Sequence, residues 1–177
     1  ESGAKVLFYQ RVTKAQKGKH ARANYIHPLY DLSGNILTED FPEDHPHHRG
    51  IFWAWHFLEV DGKRMGDGWT TSDRSWDVRQ LKVKRNKDGS LTLYLDVQWK
   101  SIHWHKGKKP IVNETTMIRV HPREGNHRKL DANTAEALER ARLLCQRPAR
   151  HHARGVLLRD PLHHGPVQPL HLSRDTR

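Results

Sequence analysis

From Leu91 to Trp99 every second residue is apolar: Leu91, Leu93, Leu95, Val97 and Trp99 share one face, and Thr92, Tyr94, Asp96 and Gln98 share the other. A period of two marks a strand half-buried against a core. The same pattern predicts strands over Lys5–Gln10, Tyr25–Leu29 and Ile36–Leu37, and a weakly alternating one over Trp76–Lys84. Ile102–Trp104 and Ile111–His121 are expected to pair across the Lys106-Gly107-Lys108-Lys109-Pro110 turn. Ile51–Val60 is apolar on both faces, which predicts a central strand buried between layers. Turn signals at Asp31–Asn35, Asp61-Gly62 and Asn86–Gly89 separate these runs. Only Asn133–Gln146 suits a helix, with Asn133 as its cap and Glu136 three residues on. The chain therefore reads as all-β, an antiparallel β-sandwich or a piece of a larger one.

Composition divides the chain. Every Trp, Tyr and Phe lies between Phe8 and Trp104, no lysine follows Lys129, and no isoleucine follows Ile118. A core without aromatics or isoleucine is hard to build. Residues 5–130 thus read as the folded part and 131–177 as an Arg/His/Pro-rich tail, carrying one short helix over 133–146. From about residue 131 the sequence reads as out-of-frame translation of GC-rich DNA, or as otherwise unrelated to what precedes it. The alternative is a natural basic, disordered tail. On either reading His151-His152 and His163-His164 are not metal ligands.

The net charge of +11 shifts this picture little. Nearly half of the excess falls after residue 126, and neither Lys14, Lys17, Lys19, His20, Arg22 nor Lys106–Lys109 matches a nucleic-acid motif or interleaves with aromatics. Both clusters read as solvated loops, so nucleic acid is not an expected partner. No apolar run approaches the ~20 residues of a membrane span. A single cysteine, Cys145, excludes a disulfide framework and a multi-cysteine zinc site. The chain starts at Glu1 with no signal-peptide pattern after it, and its compartment is not indicated.

The unusual chemistry concentrates between Tyr25 and Trp76. Glu39, Asp40, Glu43 and Asp44 run directly into His45-Pro46-His47-His48-Arg49-Gly50, then Trp53, Trp55 and His56, and beyond the hairpin Asp67, Trp69 and Asp73. Two prolines and Gly50 stiffen the loop, a common way to hold a site. A sugar site is the favoured reading. Tryptophan faces stack on sugar rings, while His, Arg and carboxylates bond hydroxyls, and a His/carboxylate pair can do acid–base work. His47, His48, His56 and Asp67 are the candidate catalytic groups, with Arg49, Trp55 and Trp69 as ligand contacts. The runner-up is a metal-dependent oxygenase or hydrolase holding one divalent ion through His45 and His47, since His-x-His puts two rings on one side of an extended chain. A non-catalytic carbohydrate-recognition module is the third reading. Each histidine taken singly is explained as well by structure. Glu114 shares a strand face with Val112, Thr116, Ile118 and Val120, so it is expected either to be paired at a pocket wall or to reach solvent from an edge.

The run YIHPLYDLSGNILTEDFPEDHPHHRGIFWAWHFLEVDGKRMGDGW, with SWDVR at 75–79 and NETTMIRVHP further on, resembles the soluble PmoA-like family over residues 5–131. The resemblance implies a β-supersandwich of the sort seen in aldose epimerases and an association with carbohydrate metabolism. It also implies that further strands belong after Asp131, so the domain here is expected to be incomplete. By motif position it marks His27, His45, His47, His48, Arg49, Trp55, His56, Asp67 and Trp69 as site residues, His27 being added as a ligand contact. The expected ligand is a small molecule, with a sugar favoured, and the expected cofactor is none or one divalent metal.

Overall fold

A computed structural model describes residues 3–138, 141–142 and 152–159. The chain opens with β1 (Leu7–Gln10), β2 (Lys14–Gln16), β3 (Lys19–Arg22) and β4 (Tyr25–Leu29), followed by the short β5 (Glu59–Val60) and β6 (Lys63–Arg64). The long strands β7 (Arg74–Arg85), β8 (Leu91–Ser101), β9 (Pro110–Glu124) and β10 (His127–Leu138) come next, then β11 (Ala141–Arg142) and β12 (His152–Arg159). One five-stranded sheet in the order β12-β10-β9-β8-β7 forms the floor, and every pairing in it is antiparallel. Above it lie the β1-β4 and β2-β3 pairs and the small β11-β5-β6 sheet. The all-β, sandwich-like architecture read from the alternation is the one observed.

The floor is one-sided, as the pattern requires. Leu93, Leu95, Val97 and Trp99 of β8 are buried, whereas Tyr94 is exposed on the opposite face. They join Trp76 and Val78 of β7 and Ile111, Val112 and Ile118 of β9 in one core with Tyr9, Ile26, Leu29, Leu58, Val60 and Met65 of the covering layer. Burying a side chain such as Leu95 contributes about 2 kcal/mol, so the two layers hold each other by apolar area. Local turn chemistry fixes the register: Asp61 and Gly62 both take positive φ (49° and 72°) between β5 and β6, the geometry of a two-residue hairpin turn.

Four expectations need correction. Ile51–Val60 is not a continuous strand: Ile51 bridges Ile26, only Glu59–Val60 pairs, and the stretch between is irregular. Its two-sided apolarity comes instead from a loop lying between other groups, with Trp53 and Trp55 packed on the core and Arg64 covering Phe57 (4.2 Å to the ring centroid). Ile102–Trp104 is a turn, and β8 itself pairs with β9. The helix over 133–146 does not form where it is described: Asn133–Leu138 continues β10, paired with β9 up to Leu138↔Val112. The open ladder of β9 captures a segment whose own apolar stripe is too thin to hold a helix. Residues 139–140 and 143–146 lie outside the described residues, as does most of the segment expected to be out of frame. Finally, the Lys14–Arg22 cluster is not a solvated loop but the β2-β3 hairpin, and Arg22 is fully buried.

Candidate functional site

Arg49 closes the histidine loop rather than facing a ligand. The loop leaves the body at Asp40 and returns at Arg49, and these two residues bridge each other. Gly50 N–H donates to Glu39 O (2.8 Å) and Phe41 N–H to His48 O (3.3 Å). Gly50 has φ +63°, and a Cβ there would sit 2.2 Å from Ile26 O, so only glycine fits this crossing. The Arg49 guanidinium is fully buried. Its Nε donates to Asp40 Oδ1 (2.5 Å), Nη1 to the carbonyls of Lys14 (3.2 Å) and His20 (2.7 Å), and Nη2 to Tyr25 Oη (2.5 Å). It also lies over the Phe41 ring at 3.6 Å. With its donors taken by the protein, Arg49 has no fork left for a substrate, which corrects its expected role as a ligand contact.

Above this clamp the loop gathers its rings. His45 stacks on His48 (4.9 Å, 12°), and His47 meets His48 edge-on (4.6 Å, 77°). Trp69 closes the group, 5.6 Å from His48, 5.3 Å from Phe52 and nearly parallel to His56 at 5.4 Å and 25°. Asp67 orients His56: its Oδ2 lies 3.0 Å from His56 Nδ1, while Oδ1 accepts the Trp69 and Thr70 amides (2.7 and 3.3 Å). Burial alone would raise the Asp67 pKa, but these three donors outweigh it and hold the carboxyl below its ordinary value. An ionised Asp67 accepts at His56 Nδ1 and so places the ring proton there, leaving Nε2 as the basic nitrogen. Burial, reinforced by His48, His45 and His20, lowers the His47 pKa, so this ring is uncharged at neutral pH.

Six expected residues thus come together: His45, His47, His48, His56, Asp67 and Trp69. Three stand apart. Arg49 is the clamp, His27 bonds Thr38 Oγ1 through Nδ1 (2.9 Å), and Trp55 donates to Glu136 Oε1 (3.3 Å). Among the described residues no group of three or more His, Cys, Asp or Glu side chains is placed to hold a metal ion. His45 instead pairs with Asp44 (2.8 Å).

A second group was only half legible. Glu114 is buried, on the face with Val112 and Ile118, and its acceptors are filled by Asn24 (2.8 Å), the Trp99 indole (2.6 Å) and Thr116 (2.8 Å). That settles the choice left open in the sequence: it is paired, not solvated. Directly across the ladder stands Glu136. Burial first, then the nearby Glu114 charge, push the Glu136 carboxyl up to about 7, against the lowering effect of the Trp55 bond. Reading 133–146 as a helix hid this pairing, since only a strand register sets the two carboxylates opposite one another. Arg22 reads in sequence as part of a solvated loop and Arg74 carries no signal, because both look like ordinary surface charges; each is buried.

The fold and the ring cluster define an all-β protein with a loop-borne group of aromatic and histidine rings. The chain belongs to a family of unknown function, DUF6807, whose model matches residues 2–149. No curated protein and no solved structure matches it. Among the described residues no helix is long and apolar enough to cross a membrane.

Proposed function

We propose that this is a PmoA-like protein that binds a carbohydrate at the Trp69–His56 cluster and carries out His/carboxylate acid–base chemistry on it. The observation that carries this reading is the His56–Asp67–Trp69 arrangement: one residue pair fixes the imidazole, and the adjacent indole offers an aromatic surface for a sugar ring. His56 is about half exposed, so Nε2 can meet a ligand. In that pose Nε2 accepts a proton from a sugar hydroxyl or an activated C–H and returns it, while ionised Asp67 stabilises the transient imidazolium. His47, kept uncharged, is a second proton acceptor across the cluster.

Calorimetric titration of the chain with a panel of neutral and acidic monosaccharides tests this. Trp69→Ala is expected to weaken binding by about tenfold or more, which corresponds to ~1.4 kcal/mol. His56→Ala is expected to abolish any turnover that product analysis detects. A recognition module would bind without turnover. Absence of binding to every sugar at millimolar concentration, or no effect of Trp69→Ala, overturns the proposal.

A further inference from the structure

Beneath the Asp67–Trp69 loop sit two guanidiniums that the protein leaves incompletely bonded. Arg22 is 0% exposed and Arg74 6%. Each gives one donor to the underside of the same loop: Arg22 Nη2 to Gly68 O, and Arg74 Nε to Met65 O (2.7 Å). Arg22 Nε and Nη1 and Arg74 Nη1 and Nη2 are buried with no partner, and so is the indole nitrogen of Trp76. Arg22 lies over that Trp76 ring at 4.0 Å and over Phe52 at 4.4 Å. Arg74 and Trp76 alternate onto the same buried face of β7. These five atoms, all donors, belong to three side chains linked by the Arg22–Trp76 stack and by the shared buried face of β7.

The two carboxylates nearest them are already engaged elsewhere. Glu114 and Asp67 are the carboxylates whose fields reach Arg22 and Arg74, respectively. Glu114 accepts from Asn24, Trp99 and Thr116, and Asp67 from His56 and two amides. A buried guanidinium lacking acceptors is costly, and that cost is recovered when an oxygen-rich anion supplies them. Arg74 presents a free end-on fork through Nη1 and Nη2, and Arg22 adds single N–H groups at Nε and Nη1, a set that suits a carboxylate better than any neutral group. Burial pushes the two guanidiniums down to about 9 and about 10, so both remain charged at neutral pH.

We propose that Arg22 and Arg74 form a carboxylate-binding site under the Asp67–Trp69 loop, and that the ligand of the cluster above is an acidic sugar of the uronic acid class. Position supports the link. Phe52 touches both halves, 4.4 Å from Arg22 and 5.3 Å from Trp69, and Gly68, whose carbonyl Arg22 holds, lies between Asp67 and Trp69 in the chain. Both guanidiniums are buried, so the proposal requires the Gly68 carbonyl to give way locally at Arg22 when the carboxylate binds. The identity of the ligand rests on the carbohydrate reading; the anion site does not.

Titration of the full chain at pH 7 with D-glucuronate, D-glucose and acetate separates the two. Glucuronate is expected to bind at least tenfold more tightly than glucose. Arg74→Gln is expected to bring that ratio to within about threefold, and Arg74→Lys, which keeps the charge but loses the fork, to an intermediate value. If Arg74→Gln fails to fold, the unmodified chain's glucuronate-to-glucose ratio and Arg74→Lys decide the matter. Equal affinity for the two sugars overturns the carboxylate site and leaves the sugar reading standing. Acetate binding with no sugar bound supports the carboxylate site and overturns the sugar reading. No binding of any of the three overturns both.

Discussion

Arg49→Met is expected to destabilise the fold by about 3–5 kcal/mol, the cost typical of breaking a buried ion pair by removing one partner. The guanidinium is the knot of the histidine loop: it bonds Asp40, Tyr25 and the Lys14 and His20 carbonyls, and it stacks on Phe41. Its loss leaves two β2-β3 carbonyls without their donor and leaves Asp40, whose side chain is 5% exposed, with Lys14 as its remaining cation. Urea unfolding of Arg49→Met, Asp40→Asn and the double variant measures the coupling. The double variant is expected to be less destabilised than the sum of the singles, because the neutral amide no longer needs the missing charge. Additive effects would show that Arg49 acts only through its carbonyl contacts. The pH dependence has a definite sign. Burial raises the Asp40 pKa, but the bonds and charges of Lys14 and Arg49 outweigh it and lower it overall. The stability it contributes is therefore complete at neutral pH and is lost as the pH falls through its depressed folded value.

Glu136 carries the opposite sign and the second large effect. Its folded pKa is raised from 4.5 to about 7, so below pH 4.5 the carboxyl is neutral in both states and costs the fold nothing. Between those values the unfolded chain ionises while the native group holds its proton, and stability falls with rising pH. Above pH 7 the penalty levels off at about 3 kcal/mol, from 1.36 kcal/mol per pKa unit. Glu136→Gln is expected to remove this slope, making the variant more stable than the parent at pH 8 by about 2–3 kcal/mol, with little difference at pH 4.5. Denaturation midpoints of both proteins at pH 4.5, 6 and 8 check it; parallel curves would mean that Glu136 reaches water and does not feel Glu114.

The strands of the floor were legible because each needs only its own alternation. Leu93, Leu95, Val97 and Trp99 face the core as their period dictates, and the hairpin at Asp61-Gly62 follows from two residues that tolerate positive φ. The histidine loop was legible as a cluster for a similar reason, since Pro46 and Gly50 confine three imidazoles and a carboxylate run to one short segment. Individual roles were not. Arg49 reads as a ligand contact in sequence, but its function depends on Lys14, His20, Tyr25 and Asp40, which the chain brings up from separate segments.

The chain's sequence by itself determined an all-β body, its turns and the place where imidazoles and indoles gather, because these rest on short-range periodicity and backbone stereochemistry. Tertiary structure alone decided which charges became interior. Arg22, Arg74 and Glu136 look like surface residues until packing of the upper layer on the sheet removes water from around them. It also decided that Asn133–Leu138 is a strand, since the unpaired edge of β9 offers hydrogen bonds that no local preference in that segment can match.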